Sequence, residues 1–467
     1  MTSFIDHKKH RLGKILTLLA GTLFFMVFAL YNGFPVVMHG DTSTYLESAF
    51  DGKVPAERPI FYGLFIRLTS LGASIWATIF VQCLLLSYLC TRFIRSLLPA
   101  ISTLHLMALL LLIALCTIAS WYAGQIMPDT FTPILFLAAY LYLTQKNALW
   151  ETVLLLTIIF ISVLVHNSHY VIITLFAFLV LCGSWISATY FRPYRVKGLY
   201  LSGVAILSWI CLLGSNKIAG NGFVTARASH VFLMGKLAES GVLKTYLEKA
   251  CPIKDYKICA YKDNIPPVAW EFVWNIEKSP VFKAGGWDST REEYSTIIRD
   301  IASRPKYWPF LAYKSMEATA RQVILLNIDE AEELPWRKFD RESHMYTTIA
   351  RHFPHEINEF EVSRQNLKTL NIPFYDGVFV IVFLLSSLIC MFCLAGEDKK
   401  LAIPVYILVI LFIFINAFTT ATFGNVLSRL NSRTIWLLPM VNFIFIYRFV
   451  MQKIAGAGRF TGNENAG

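Results

Sequence analysis

Charged residues are scarce in this 467-residue chain, at 16% against 55% hydrophobic residues. The sequence also has no Asn-X-Ser/Thr motif, no phosphate-binding P-loop, no GxGxxG motif opening a helix and no internal repeat. So little charge excludes an ordinary soluble protein of this length, because lipid must solvate much of its surface. The missing motifs give nucleotide-driven chemistry no support. The missing glycosylation motif favours a bacterial inner membrane over the secretory pathway.

Long apolar runs dominate what is present. A helix needs about 20 apolar residues to cross a hydrocarbon core about 30 Å thick. The runs predict an all-α polytopic membrane protein with about ten transmembrane helices. They lie near residues 14–34, 74–92, 102–120, 130–144, 149–166, 170–190, 198–215, 374–394, 402–420 and 434–450.

Basic residues are distributed unequally between the two predicted sides of the membrane. With a cytoplasmic N-terminus, fifteen Lys and Arg lie in cytoplasmic segments and five in the short external loops, as the positive-inside rule requires. The net charge of +11 is therefore a topology signal rather than a nucleic-acid surface. We expect a multi-pass protein of the bacterial inner membrane, with both termini cytoplasmic and the lipid bilayer, not nucleic acid, as its partner.

The predicted spans divide the chain into a seven-helix module at 1–215, a domain at 216–373 and a three-helix module at 374–467 that ends in a short cytoplasmic tail. The middle segment is long enough to bury its own core. Since it follows seven spans, it is predicted to lie outside the cytoplasm. A periplasmic or otherwise extracytoplasmic domain is expected there.

The middle segment is predicted to be mainly helical, with a continuous helix over Arg227–Lys249 and further helices over Ser289–Ala302 and Pro309–Leu326. Cys251 and Cys259 lie eight positions apart in this segment. In an oxidising compartment such a pair favours a disulfide over two free thiols.

Two acidic residues lie at the external ends of predicted spans. Asp41 belongs to the first external loop, residues 35–73, and Asp129 begins the fourth span. Each residue type and position suits a general base, but a helix cap or first-turn acid is the leading alternative. Both alternatives stay open from spacing alone.

Histidine and arginine residues accompany these acids. His166 and His169 share one face if the fifth helix continues through them, and they could bind phosphate, bind metal or simply cap a span. Arg429 and Arg433 lie four apart at the mouth of the last span, where they suit either a phosphate or the anchoring of a helix end. With Arg58 of the first loop, these groups converge on one side and suggest a lipid-phosphate substrate.

Three short motifs carry a family resemblance: Gly-Asp-Thr-Ser-Thr-Tyr at 40–45, Arg-Pro-Ile-Phe-Tyr at 58–62 before a juxtamembrane helix, and Met-Pro-Asp at 127–129. With seven helices preceding an external domain, the chain resembles the GT-C superfamily of membrane glycosyltransferases. Protein mannosyltransferases and aminoarabinose transferases belong to that superfamily. The resemblance covers chiefly residues 1–215.

The resemblance implies a GT-C-like seven-helix module that transfers sugar from a polyprenyl-phosphate carrier with inversion. It implies Asp41 as general base and Asp129 in support. The residues expected to contact substrate or phosphate are Tyr45, Arg58, His166, His169, Arg429 and Arg433. No metal ligands are assigned, a divalent cation stays open as a cofactor, and the acceptor is a glycan, a lipid or a protein.

Two other functions compete with the transferase. A transporter or flippase for a lipid-linked or anionic substrate should carry charges near span midpoints or broken, repeated spans. The clustering of charges outside the spans favours the transferase. A receptor or assembly protein, anchored by its spans and binding a partner through 216–373, would need far fewer than ten spans.

Overall fold

The computed structural model describes residues 2–38, 40–186, 192–328, 339–394 and 398–461. The last residues of the predicted cytoplasmic tail and a ten-residue part of the predicted external domain, 329–338, lie outside these ranges. Regular structure within the described ranges is helical, apart from one isolated parallel β-bridge between Val36 and Gln125.

Ten α-helices precede residue 220 in the described chain. They are α1 (Thr2–Asn32), α2 (Asp41–Phe50), α3 (Phe61–Ser70), α4 (Ile75–Leu97), α5 (Thr103–Cys116), α6 (Ala119–Ala123), α7 (Phe131–Thr144), α8 (Leu149–Leu164), α9 (Asn167–Ile186) and α10 (Arg195–Ile218), with 3-10 helices at Pro128–Thr130 and Arg192–Tyr194.

Shorter helices follow and lead into the C-terminal helices. They are α11 (Ser229–Glu239), α12 (Val242–Ala250), α13 (Ala269–Trp274), α14 (Pro280–Lys283), α15 (Arg291–Ala302), α16 (Trp308–Val323), α17 (His344–His352), α18 (Ile357–Glu361), α19 (Ile372–Cys393), α20 (Asp398–Phe423), α21 (Ser428–Ile435) and α22 (Leu437–Thr461), with 3-10 helices at Lys257–Asn264, Pro305–Tyr307 and Pro354–Glu356.

Seven helical segments of the described chain are long and apolar enough to cross a membrane, which confirms the predicted all-helical membrane class. They are Leu12–Asn32, Ile75–Leu97, Asn167–Ile186, Arg195–Ile218, Ile372–Cys393, Asp398–Phe423 and Ser428–Ile454.

Three of the ten predicted spans contain shorter helices. α5 and α7 have 14 residues each and α8 has 16. At about 1.5 Å per residue these helices are about 21–24 Å long, less than the hydrocarbon core of about 30 Å. Residues 131–143 of α7 are all buried, so neighbouring helices rather than lipid surround it.

The continuous helix predicted over Arg227–Lys249 is wrong. The chain breaks between α11 and α12 at Gly241, which has a φ of 79°. A residue in this left-handed region ends a helix, and glycine adopts it without steric cost. The other two predicted helices correspond to α15 and α16, with ends that differ by at most three residues.

The described residues form two hydrophobic cores. The larger core joins the long helices and also includes side chains that follow the middle segment's gap, such as Phe339, Phe353 and Phe360. The smaller core extends from Val231 to Tyr307. The segment 216–373 thus contains one unit with its own core and a second stretch that packs on the membrane helices.

The connection between α1 and α2 is joined to the connection between α6 and α7 by backbone hydrogen bonds. The Val36 amide donates to the Gly124 carbonyl at 2.9 Å, and the Ile126 amide donates to the Val36 carbonyl at 3.0 Å. The Thr42 hydroxyl donates to the Ile126 carbonyl at 3.1 Å. These bonds fix the start of α2 beside the chain that leads to Asp129.

Candidate functional site

Asp41 lies between two arginines at the start of α2. Arg58 Nη2 donates to its Oδ1 at 2.8 Å, and Arg429 Nη1 donates to its Oδ2 at 3.0 Å. The N-cap of α2 is Gly40, whose φ of 69° lets the chain turn into the helix. The Asp41 carboxylate therefore lies in the first turn and pairs with one cation from the connection between α2 and α3 and one from α21.

The two arginines decide the ionisation of Asp41. Burial alone would raise the pKa of this carboxyl, but the positive charges and hydrogen bonds of Arg58 and Arg429 outweigh burial and lower the pKa to about 2. Asp41 is therefore ionised at neutral pH. In this arrangement it is a weak proton acceptor.

The Tyr45 ring packs against the Arg58 guanidinium. The Arg58 guanidinium lies 5.0 Å from the centre of the Tyr45 ring, and its Nε is 3.2 Å from Glu57 Oε1. The Tyr45 ring packs edge-on against Tyr62 with centroids 4.8 Å apart. A cation over a buried aromatic face is held in orientation, so Tyr45 orients Arg58 toward Asp41.

Asp129 and Arg433 form a fully enclosed ion pair. Arg433 Nη1 donates to Asp129 Oδ1 at 2.7 Å, and the two side chains are 0% and 1% exposed. Arg433 Nη2 also donates to Ser168 Oγ at 3.1 Å and to Asn416 Oδ1 at 3.0 Å. A buried charge needs such multiple partners to offset its lost hydration.

His166 and His169 have different surroundings. The helix does not continue through them: α8 ends at Leu164 and α9 begins at Asn167, so His166 lies in the connection. His166 Nε2 is 3.3 Å from Arg433 Nη1, while both ring nitrogens of His169 bond to Thr132 and to the Ser162 carbonyl. His169 therefore has no nitrogen left for phosphate. His166 belongs to a charged cluster together with Asp41, Arg58, Asp129, Arg429 and Arg433.

Burial and neighbouring cations keep His166 neutral. Loss of hydration is the first cause that lowers its pKa well below the ordinary value, and the positive charge of Arg433 lowers it further. A neutral ring can accept a hydrogen bond as well as donate one.

Several polar atoms of this cluster are buried without a hydrogen-bond partner in the described structure. They are Asp129 Oδ2, Arg58 Nη1 and Arg433 Nε. Most buried polar atoms in folded proteins are paired, so three unpaired atoms in one cluster leave donors and an acceptor with which a polar ligand could form hydrogen bonds.

The cluster includes residues that the sequence analysis did not select. Tyr122 donates from its hydroxyl to the Arg429 carbonyl at 3.2 Å, and Ser168 and Asn416 hold Arg433. Asn416 carried a usable signal, because it is a polar residue within the apolar run 402–420. Ser168 adjoins the histidines, and nothing in the local sequence marks Tyr122.

A second group of polar and charged contacts joins α2 to α17. His344 of α17 contacts Ser43 Oγ at 3.1 Å and Glu47 Oε1 at 3.1 Å. Arg351 donates to Asp51 Oδ2 at 2.8 Å. The helix that carries Asp41 is therefore fixed by a helix that lies 300 residues further along the chain.

Metal binding has a poor fit to the charged cluster. Across the described ranges, no three His, Cys, Asp or Glu side chains are grouped closely enough to hold a metal ion. The Asp41 carboxylate is occupied by two guanidinium groups, which repel a divalent cation. We assign no metal ligand here.

A disulfide joins Cys251 and Cys259, with their Cα atoms 5.7 Å apart. It closes the turn after α12 in the smaller core and lies away from the charged cluster. Its function there is structural.

Comparison with protein-family models, with curated proteins and with solved structures gave no match to this chain. The case for any function therefore rests on the site itself.

Proposed function

We propose that the protein is a membrane glycosyltransferase that moves a sugar from a polyprenyl-phosphate carrier to an acceptor hydroxyl. The observation that carries this proposal is Asp41 clamped between Arg58 and Arg429 where the long apolar helices end. A carboxylate and cations at a lipid interface are what an acceptor hydroxyl and a lipid-linked phosphate need.

Binding of the donor phosphate to Arg58 and Arg429 would activate Asp41 as a base. An incoming phosphate competes with Asp41 for the two guanidinium groups, since arginine binds phosphate through the same paired donors. Once its cations turn to the phosphate, Asp41 stays buried but loses the charges that lower its pKa. Donor binding therefore converts a weak base into a stronger one.

The transfer is a single displacement. The acceptor hydroxyl oxygen attacks the anomeric carbon, its proton passes to Asp41, and the bond from that carbon to the phosphate oxygen breaks. Polyprenyl phosphate leaves with the bonding electrons, and Arg58 and Arg429 stabilise its charge. One displacement at one carbon inverts its configuration.

Asp129, Arg433 and His166 form the supporting layer of the site. The Asp129 and Arg433 pair fixes α21, on which Arg429 also lies, while neutral His166 offers a hydrogen bond beside the arginines. The unpaired Asp129 Oδ2 suits a sugar or acceptor hydroxyl. The acceptor is a glycan, a lipid or a protein.

The same proposal includes the membrane placement. The short helices α5, α7 and α8 complete ten crossings by packing among longer neighbours, and the Asp41 side faces the periplasm of a bacterial inner membrane. Both termini are then cytoplasmic. The charged pairs lie at the ends of spans rather than midway, which favours a transferase over a transporter.

Complementation tests the proposal. In a strain that lacks the gene, wild-type protein, Asp41→Asn and the control Asp51→Asn are expressed at matched levels, and lipid-linked and surface glycans are profiled by mass spectrometry. Asp51 lies at the end of the same helix and pairs with Arg351 instead. We expect Asp41→Asn to lose one glycan species by about 10²–10⁴-fold while Asp51→Asn retains it.

A binding measurement separates this mechanism from transport. Purified wild-type protein should bind farnesyl phosphate, a short polyprenyl phosphate, and Arg58→Gln should bind it at least tenfold more weakly. Normal glycans in the Asp41→Asn strain would refute the transferase. An unchanged glycan profile in the gene deletion, with farnesyl phosphate still bound, would point to transport of a lipid-linked substrate.

A further inference from the structure

A cavity separate from the Asp41 cluster lies where the smaller core meets the membrane helices. Its volume is about 320 Å³. The end of α20 forms one wall with Ala421, Thr422 and Phe423, and α11, α15 and α16 form the others. Because α20 is one of the long apolar helices, the cavity lies at the membrane boundary on the same side as Asp41.

The cavity has apolar walls and a cationic rim. Leu237, Ile301 and Leu311 are among the apolar side chains that line it. The charged groups that line it are three cations, Lys236, Lys314 and Arg321, against one carboxylate, that of Glu239. A surplus of positive charge therefore surrounds the mouth of an apolar space.

Part of that positive charge is available to a ligand. Lys236 is held by Glu239 at 2.8 Å, but Arg321 lies 4.0 Å from the same carboxylate and is 57% exposed. Lys314 pairs with Glu317 at 2.9 Å, and both of those side chains are about one-third exposed. Exposed pairs of this kind exchange partners at little cost.

Exposed aromatic and apolar side chains on α16 also indicate contact with lipid. One side lines the cavity, and the opposite side presents Tyr313 and Met316, which are 63% and 50% exposed. Trp308, in the first turn of α16, is 56% exposed. Tryptophan and tyrosine beside the end of a membrane span are typical of the headgroup layer. We therefore expect the cavity to open at the depth where phospholipid headgroups lie.

We propose that this cavity binds an anionic phospholipid of the membrane leaflet on the Asp41 side, with its phosphate at Lys314 and Arg321 and its glycerol and upper acyl chain against the apolar walls. The apolar walls favour a lipid over a free phosphate, and the cationic rim favours an anionic lipid over a zwitterionic one. This site does not depend on the transferase proposal.

The cavity is also coupled to the cluster. Gln322, next to Arg321, donates to the Leu427 carbonyl at 2.6 Å and accepts from the Leu427 amide at 3.0 Å. Leu427 is the N-cap of α21, which carries Arg429. A lipid in the cavity would thus stabilise the segment from which one arm of the Asp41 clamp projects.

Lipid titration of the purified full chain tests the proposal. Dioctanoyl-phosphatidylglycerol and dioctanoyl-phosphatidylcholine are added to the protein in mild detergent, and binding is followed by native mass spectrometry. We expect wild-type protein to bind phosphatidylglycerol at least tenfold more tightly. The double variant Lys314→Gln/Arg321→Gln should lose this preference, because two cations near a lipid phosphate account for roughly a thirtyfold change in affinity.

Two further variants locate the effect. Lys306→Gln removes a cation just before α16 that does not line the cavity, and it should keep the wild-type preference. Ala318→Trp fills the cavity and should weaken both lipids, with gel filtration as the check on folding. Equal binding of the two lipids to wild-type protein, equal losses in Lys306→Gln and the double variant, or undiminished binding by a folded Ala318→Trp would each overturn the proposal.

Discussion

Arg433 and Asp129 meet at 2.7 Å with almost no exposure of either side chain, although they lie 304 positions apart in the chain. The pair links α21 to the 3-10 turn before α7. An ion pair of this kind, once one partner is removed, leaves an uncompensated buried charge.

Removal of one partner should therefore destabilise the fold strongly. We expect Arg433→Met to lower the free energy of unfolding by about 3–5 kcal/mol, measured by thermal unfolding in detergent. The double variant Arg433→Met/Asp129→Asn should lose less than the sum of the single changes. As a control, Arg341→Met breaks an exposed pair with Glu361 and should leave the free energy of unfolding almost unchanged. Equal losses from the buried and exposed changes would refute this account.

Acid stability should report on Asp41. Its pKa of about 2 lies below that of an unfolded aspartate, so the folded state favours the ionised form. The resulting stabilisation, about 2 kcal/mol, is fully present above about pH 4 and is lost as the pH falls towards 2. Wild-type protein should show this loss in thermal unfolding, and Asp41→Asn should lack it. Identical pH profiles would contradict the clamp.

Removal of one arm of the clamp should raise the pKa of Asp41. Burial still raises the pKa in Arg429→Gln, whereas only Arg58 remains to lower it. We expect the acid-dependent loss of stability to begin at a higher pH in this variant than in wild-type protein. An onset at the same pH would show that Arg429 contributes nothing to the ionisation of Asp41.

The contact between α17 and α2 should control the mobility of α2. His344→Ala/Arg351→Ala removes exposed contacts, so stability should change by less than about 1 kcal/mol. Local opening should nevertheless increase, and hydrogen exchange of residues 42–50 should become faster. Arg364→Ala, which removes a contact to the α1 end instead, should leave that exchange unchanged. Unchanged exchange in the first variant would show that α17 does not restrain α2.

The disulfide should stabilise only the smaller core. Replacement of Cys251 and Cys259 by serine opens a short loop and should cost that unit about 2–3 kcal/mol. Limited proteolysis should then cut within 231–307 sooner, while the long helices resist as before. Cys211→Ala, in α10, should have no such effect. Cleavage at the wild-type rate would show that the disulfide adds no stability.

Sidedness can be measured directly. In a parent without other free cysteines, Lys53→Cys lies on the Asp41 side and Lys146→Cys on the opposite side, and both positions are exposed. A membrane-impermeant maleimide added to intact cells should label position 53 alone. Labelling of position 146 alone would reverse the proposed orientation.

Sequence patterns located the helices well where a local physical rule applies. The need to bury twenty or so apolar residues in lipid marks each long span without reference to the rest of the chain. The lengths of α5, α7 and α8 were not predictable, because an apolar run gives no indication whether lipid or other helices surround it. Gly241 was a visible helix breaker, and the continuous helix across it was an avoidable error.

The parts of the site that the sequence did not predict depend on long-range contacts. Residue type and predicted side indicate Asp41, Arg58 and Arg429, but their pairing depends on the packing of α21 against the start of α2. Likewise, the return of α17 to α2 depends on packing across some 300 residues. Local periodicity has no information about either contact.

Helix α21 places Arg429 and Arg433 one turn apart, each bound to a carboxylate from a different loop. The two ion pairs consequently share a single rigid body of eight residues. A rotation or a shift of that body along its axis would lengthen both pairs together, so an anion that draws Arg429 away from Asp41 also strains the contact at Asp129. If α21 moves as one body, the two carboxylates are linked thermodynamically, and a ligand at either one changes the affinity of the other.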